Sequence, residues 1–87
     1  MYKYTLPAYA IVELLMRLSH YDKNIGDYKN HVVHDGYTLV KTTGGSIRFP
    51  SELVMQQFED PELVSKEALM DAAASFKPSR LGKTVKA

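Results

Sequence analysis

Residues 31–49 read HVVHDGYTLVKTTGGSIRF. Three short runs, His31–His34, Tyr37–Thr42 and Ser46–Phe49, are rich in β-branched and aromatic residues, and they are separated by Asp35-Gly36 and by Thr43-Gly44-Gly45. Asp-Gly between two such runs is a strong short-range hairpin signal, because a type I′ turn needs positive φ at both central positions. The stretch therefore predicts a three-stranded antiparallel meander. Strand alternation sends Tyr37, Leu39 and Lys41 to one face and Thr38, Val40 and Thr42 to the other, with Ile47 and Phe49 sharing a face and Arg48 opposite.

Working toward the N-terminus, residues 27–30 are polar and read as a loop, and residues 5–22 read as a helix. Thr5 is placed to cap it, and Pro7 is tolerated in a first turn. Ile11, Leu14, Leu15, Leu18 and Tyr21 form one apolar stripe at helical spacing. Tyr9, Val12 and Met16 form a second stripe beside it, more apolar surface than a helix lying on one sheet needs. That second stripe is a candidate homodimer interface. Glu13 and Arg17 are spaced as a favourable ion pair, and Asn24 and Gly26 mark the end of the helix.

Toward the C-terminus, Ser51 is placed to cap a short helix over Glu52–Phe58. Asp60-Pro61 opens a last helix running to about Phe76, with Val64, Ala68, Leu69, Ala72, Ala73 and Phe76 buried and Pro78 as its stop. The fold class is α+β: an N-terminal helix, a three-stranded antiparallel meander, two C-terminal helices and a basic tail. Residues 1–78 form a single domain and 79–87 a flexible basic tail.

A chain of 87 residues is near the lower size limit for a self-sufficient core. It has no cysteine, which in a domain this small favours a reducing compartment. No apolar run approaches the length of a membrane span, and Met1–Tyr4 do not lead into a signal peptide. The expectation is a cytoplasmic protein with no membrane association.

Candidate catalytic groups do not assemble at a workable spacing. A zinc site needs three or four ligands, and near His31 and His34 there are only Asp27 and Asp35; an offset of three on a strand also sends the two rings to opposite faces. His31, His34 or His20 with Lys41 could in principle serve metal-free RNA cleavage, but nothing in the spacing enforces it. Thr42-Thr43-Gly44-Gly45-Ser46 lacks the longer phosphate-loop pattern and reads as a turn. The chain is thus expected to be no enzyme and to hold no cofactor or metal.

Charge gives the positive signal. Residues 51–75 carry six acidic side chains against Lys66, a net −5, whereas residues 76–87 carry Lys77, Arg80, Lys83 and Lys86 and no acid, a net +4. At three-residue spacing, an extended chain would align these four cations along one side, a match for a nucleic-acid backbone. Lys29, Lys41 and Arg48 could extend this surface over the sheet, with Tyr28, His31, His34 and Tyr37 available for base stacking. The leading reading is a non-catalytic RNA-binding protein. The alternative, without nucleic acid, is a protein–protein inhibitor or adaptor that uses the acidic helices and the apolar first helix.

In general character the chain resembles the small accessory proteins of T-even-like tailed phages: it is short, cysteine-free, supplied with 6 Tyr and 4 Met, and charged at its ends around a helix and hairpin. Some of those proteins inhibit host defence systems, including a toxin–antitoxin endoribonuclease. The resemblance implies a host–virus role in the host cytoplasm, an inhibitor or antitoxin-like action on a host protein, RNA contacts by Lys77, Arg80, Lys83 and Lys86, and a dimer through the first helix.

Overall fold

A computed structural model describes residues 8–79. The chain order is helix α1 (Ala8–Ser19), a 3-10 turn (Lys23–Ile25), strands β1 (Tyr28–Val33), β2 (Tyr37–Thr42) and β3 (Gly45–Pro50), helix α2 (Ser51–Glu59), a second 3-10 turn (Pro61–Leu63), helix α3 (Lys66–Ala73) and a short strand β4 (Lys77–Pro78). The protein is α+β, with the antiparallel sheet in the order β1-β2-β3-β4.

The meander follows from the alternation. Thr38, Val40 and Thr42 of β2 are buried, as are Ile47 and Phe49 of β3, and the register pairs Thr38 with Phe49 and Val40 with Ile47. Ala10, Ile11, Leu14, Leu15 and Leu18 of α1, Leu53 and Val54 of α2, and Leu69 and Ala72 of α3 join them in one core. Each fully buried aliphatic or aromatic side chain contributes about 1.5–3 kcal/mol. The three helices of the described residues cover the same sheet face, and among those residues nothing forms a layer over the other face.

Several local expectations are corrected. The β1–β2 turn carries positive φ only at Gly36 (88°), the sign pattern of a type II rather than a type I′ turn; the His34 N–H donates to the Tyr37 carbonyl at 2.8 Å and closes the hairpin. Tyr28–Asn30 are strand rather than loop, with a bulge in the register between Tyr28 and Asn30. The first helix stops at Ser19, because the Asp22 carboxylate accepts the Asn24 N–H at 3.0 Å and starts a separate 3-10 turn. Tyr21 therefore leaves the stripe and stands exposed beside Lys66. Thr5 and Pro7 lie outside the described residues.

At the C-terminal side, Pro50 rather than Ser51 occupies the cap position of α2, and the Ser51 N–H donates to the Gly36 carbonyl at 3.1 Å. The single long helix expected after Asp60 is two pieces. Asp60 caps the 3-10 turn through the Glu62 N–H, and Ser65 caps α3 by accepting the Ala68 N–H at 3.1 Å. A fourth strand replaces the expected helix end. Ser75 stops α3: its hydroxyl accepts the Arg48 N–H at 2.9 Å and lies 2.7 Å from the Ala72 carbonyl. The chain then pairs Lys77 with Ser46 and Pro78 with Gly45. Proline is acceptable there because β4 is an edge strand.

Thr38 has a fully buried hydroxyl with no hydrogen-bond partner. An unsatisfied buried polar group costs about 1–3 kcal/mol, and valine keeps the side-chain shape without it. Thr38→Val is therefore expected to raise the urea midpoint, corresponding to about 1 kcal/mol or more of added stability.

Candidate nucleic-acid interface

The uncovered face of the sheet is built from three cross-strand rows. One row holds Asn30, Lys41, Ser46 and Lys77, the next Val32, Leu39 and Arg48, and the third Tyr37 and Pro50, with His34 at the end of β1 beside Tyr37. The four strands contain Lys29, Lys41, Arg48 and Lys77 and not one Asp or Glu. By contrast Glu52, Glu59, Asp60, Glu62, Glu67 and Asp71 are all exposed on the helical side. Among the described residues, the acids of 51–75 thus lie on one side of the molecule and the cations of the strands on the other.

Lys29, Lys41 and Lys77 come together around an open groove of about 450 Å³, which Asn30, Thr43, Ser46 and Ser79 also line. The bulge in β1 makes this possible. With one extra residue opposite Thr42, Lys29 is released toward the groove, and Tyr28 is turned to the helical side of the sheet. Arg48 stands apart from the groove. Its guanidinium carbon lies 5.0 Å from the Tyr37 ring centroid, and His34 stacks on the same ring at 4.8 Å with planes 20° apart.

The four aromatic residues offered for stacking therefore divide. His34 and Tyr37 are on the open face. Tyr28 and His31 are not: they pair with the buried Thr42 and Val40, and their side chains share a 2.7 Å hydrogen bond between the Tyr28 hydroxyl and His31 Nδ1. Of the cations, Lys29, Lys41, Arg48 and Lys77 share the sheet face, whereas Arg80, Lys83 and Lys86 lie outside the described residues. Lys77 belongs to β4 rather than to a helix end. Composition alone did not reveal the neutral groove residues or the apolar middle row; the β1 bulge, which no turn residue announces, sets much of the arrangement.

Arg17 is not available to a ligand in the same way. It donates to Gln57 Oε1 at 2.6 Å and to the carbonyls of Pro61 and Val64, while Glu13 accepts from Gln57 Nε2 at 3.1 Å. Gln57 thus stands between the two residues expected to pair directly. Among the described residues, no group of three or more His, Asp or Glu side chains is placed to hold a metal ion, and no helix is long and apolar enough to cross a membrane.

The glycine-rich turn uses its amides internally. Gly44 and Gly45 N–H groups point at Thr42 Oγ1 (3.2 and 3.1 Å), and Gly44 N–H is also 3.2 Å from the Ile25 carbonyl. Comparison with known proteins finds no matching family model, no matching curated protein and no matching solved structure.

A Cβ at Gly44 would fall 2.0 Å from the Asn24 carbonyl oxygen and 2.7 Å from that of Ile25, both backbone atoms. One at Gly36 would meet nothing within 4 Å, and only its φ of 88° opposes a side chain. Gly44→Ala is accordingly expected to destabilise by about 2–3 kcal/mol, the upper range for forced overpacking, and Gly36→Ala by about 1 kcal/mol. Thermal unfolding of the two variants side by side checks the order.

Proposed function

We propose that the chain is a non-catalytic RNA-binding protein whose binding surface is the open sheet face. The observation that carries the reading is the placement of Lys29, Lys41, Arg48 and Lys77 on strands that hold no carboxylate. A phosphate chain laid across these strands meets cations and neutral donors such as Asn30 and Ser46, and the nearest carboxylates in the chain are those of Asp27 and Asp35, which flank β1. Displaced counterions then drive association. Nothing in this reading needs His31 and His34 to act together, and RNA recovered from the complex should be uncut.

If four cations each neutralise one phosphate, the slope of log K against log salt is about −2.8 for a single strand. The double variant Lys41→Gln/Lys77→Gln should bring it to about −1.4. Fluorescence anisotropy across a salt series makes the measurement. An unchanged slope would remove the groove from the binding surface.

A second surface is favoured by a separate observation. Tyr9 and Met16 are 56% and 61% exposed, Val12 is half-buried beside them, and Tyr9 meets the exposed Phe58 of α2 edge-on with centroids 5.8 Å apart. This apolar strip runs along α1 on the helical side of the molecule, where Val12 and Met16 also line a groove with Tyr28 at the start of β1. It suits a second copy, as a homodimer that leaves both sheet faces free, or the host protein target of an inhibitor. The dimer is tested by sedimentation at micromolar concentration: about twice 9.8 kDa is expected for the native chain and 9.8 kDa for Met16→Asp.

A further inference from the structure

The three rows of the open face differ in kind, and this difference names the form of RNA that fits. The row holding Lys41, Ser46 and Lys77 is cationic and hydrogen-bonding, and Lys29 joins it across the groove. The middle row puts Val32, 49% exposed, and the half-buried Leu39 beside Arg48. The far row carries the stacked pair of His34 and Tyr37, with Arg48 on the same ring. Adjacent rows are about 7 Å apart along the strands, comparable with the phosphate-to-phosphate step of an extended single strand.

Resting on the RNA-binding reading, we infer that this face is a single-strand platform: the Lys29–Lys41–Lys77 groove seats a phosphate, and the His34–Tyr37–Arg48 array stacks an unpaired base. Tyr37 is half-buried between residues of the flanking strands, so it positions the array. His34 and Arg48 are exposed and present its outer planes. A guanidinium is planar and stacks on π systems, which an ammonium cannot do. The apolar middle row points the same way. Val32 and Leu39 are covered favourably by the face of a base and unfavourably by a phosphate. A duplex keeps its base faces inside its own stack and would offer this surface only its backbone and groove edges, whereas unpaired RNA bases can splay onto aromatic and arginine planes.

The test uses the full chain, a short unstructured RNA and a blunt RNA duplex of the same length, read by anisotropy over a salt series. Stacking of one base corresponds to about a 5- to 150-fold difference in affinity. The single strand should be preferred over the duplex by a factor in that range. Arg48→Lys retains the charge and removes the plane, so it should weaken single-strand binding by about fivefold or more and leave the salt slope unchanged. Tyr37→Leu should weaken it similarly, with its thermal unfolding measured in parallel; should that variant fail to fold, Arg48→Lys decides alone. Equal affinity for duplex and single strand, or native-like binding by Arg48→Lys, overturns the single-strand platform and leaves RNA binding through the cations standing. Absence of binding to either RNA at low salt overturns the RNA-binding reading together with this inference.

Discussion

The alternation of β2 governs most of this protein. Thr38, Val40 and Thr42 are buried against the helices, and a period of two commits Tyr37, Leu39 and Lys41 to the opposite side. Slipping the register by one residue would bury Lys41 and expose Val40, so the pairing is held by burial itself. The turn that follows β2 is fixed from another direction. Thr42 Oγ1 donates to the Ile25 carbonyl at 2.5 Å, Thr43 and Asp27 exchange hydrogen bonds, and the Ser79 N–H donates to Gly44. Two separate parts of the chain, residues 25–27 and Ser79, thus converge on residues 42–45. A sheet anchored in this way can leave its second face uncovered without losing its register.

That anchoring also explains how much of the fold was legible in the sequence. The hairpins could be read because glycine and aspartate mark turns locally and the apolar residues between them alternate. The core stripe of α1 could be read because Ile11, Leu14, Leu15 and Leu18 keep helical spacing. The errors arose where a side chain competed with the backbone. Asp22 drew the Asn24 N–H out of a continuing helix, and Ser65 turned one predicted helix into a 3-10 turn and α3. Nothing in the apolar pattern changes at either place: Tyr21 and Val64 still fit their stripes. Strand β4 was invisible for a different reason. Two residues have no periodicity, and the pairing of Lys77 with Ser46 exists only because β3 offers a free edge and Gly45 has no Cβ to block it.

The candidate site was legible as a set of residue types and not as a geometry. Lys29, Lys41, Arg48 and Lys77 could be named from charge. Their common face required the bulge in β1, the strand at Lys77 and the placing of α1, α2 and α3 on the other side. The aromatic residues show the same limit. Tyr28, His31, His34 and Tyr37 look equivalent in sequence, yet the register with Val40 turns His31 toward the helices, the extra residue at Lys29 turns Tyr28 the same way, and the last two are left outside.

A net charge of +1 says little about a surface arranged in this way. At physiological ionic strength the Debye length is about 8 Å, and the shortest extent of the folded chain is 18 Å. The exposed acids between Glu52 and Asp71 are therefore largely screened from a ligand on the sheet, where the local charges are the strand cations and, at the ends of β1, Asp27 and Asp35. Lys29, Lys41 and Lys77 around one groove repel one another, and that repulsion is partly relieved when an anion occupies the groove. The same separation keeps the apolar strip of α1 clear of the sheet ligand. Occupation of one surface leaves the other exposed, and a ligand on either that binds only the folded chain adds to the stability of a core near the lower size limit.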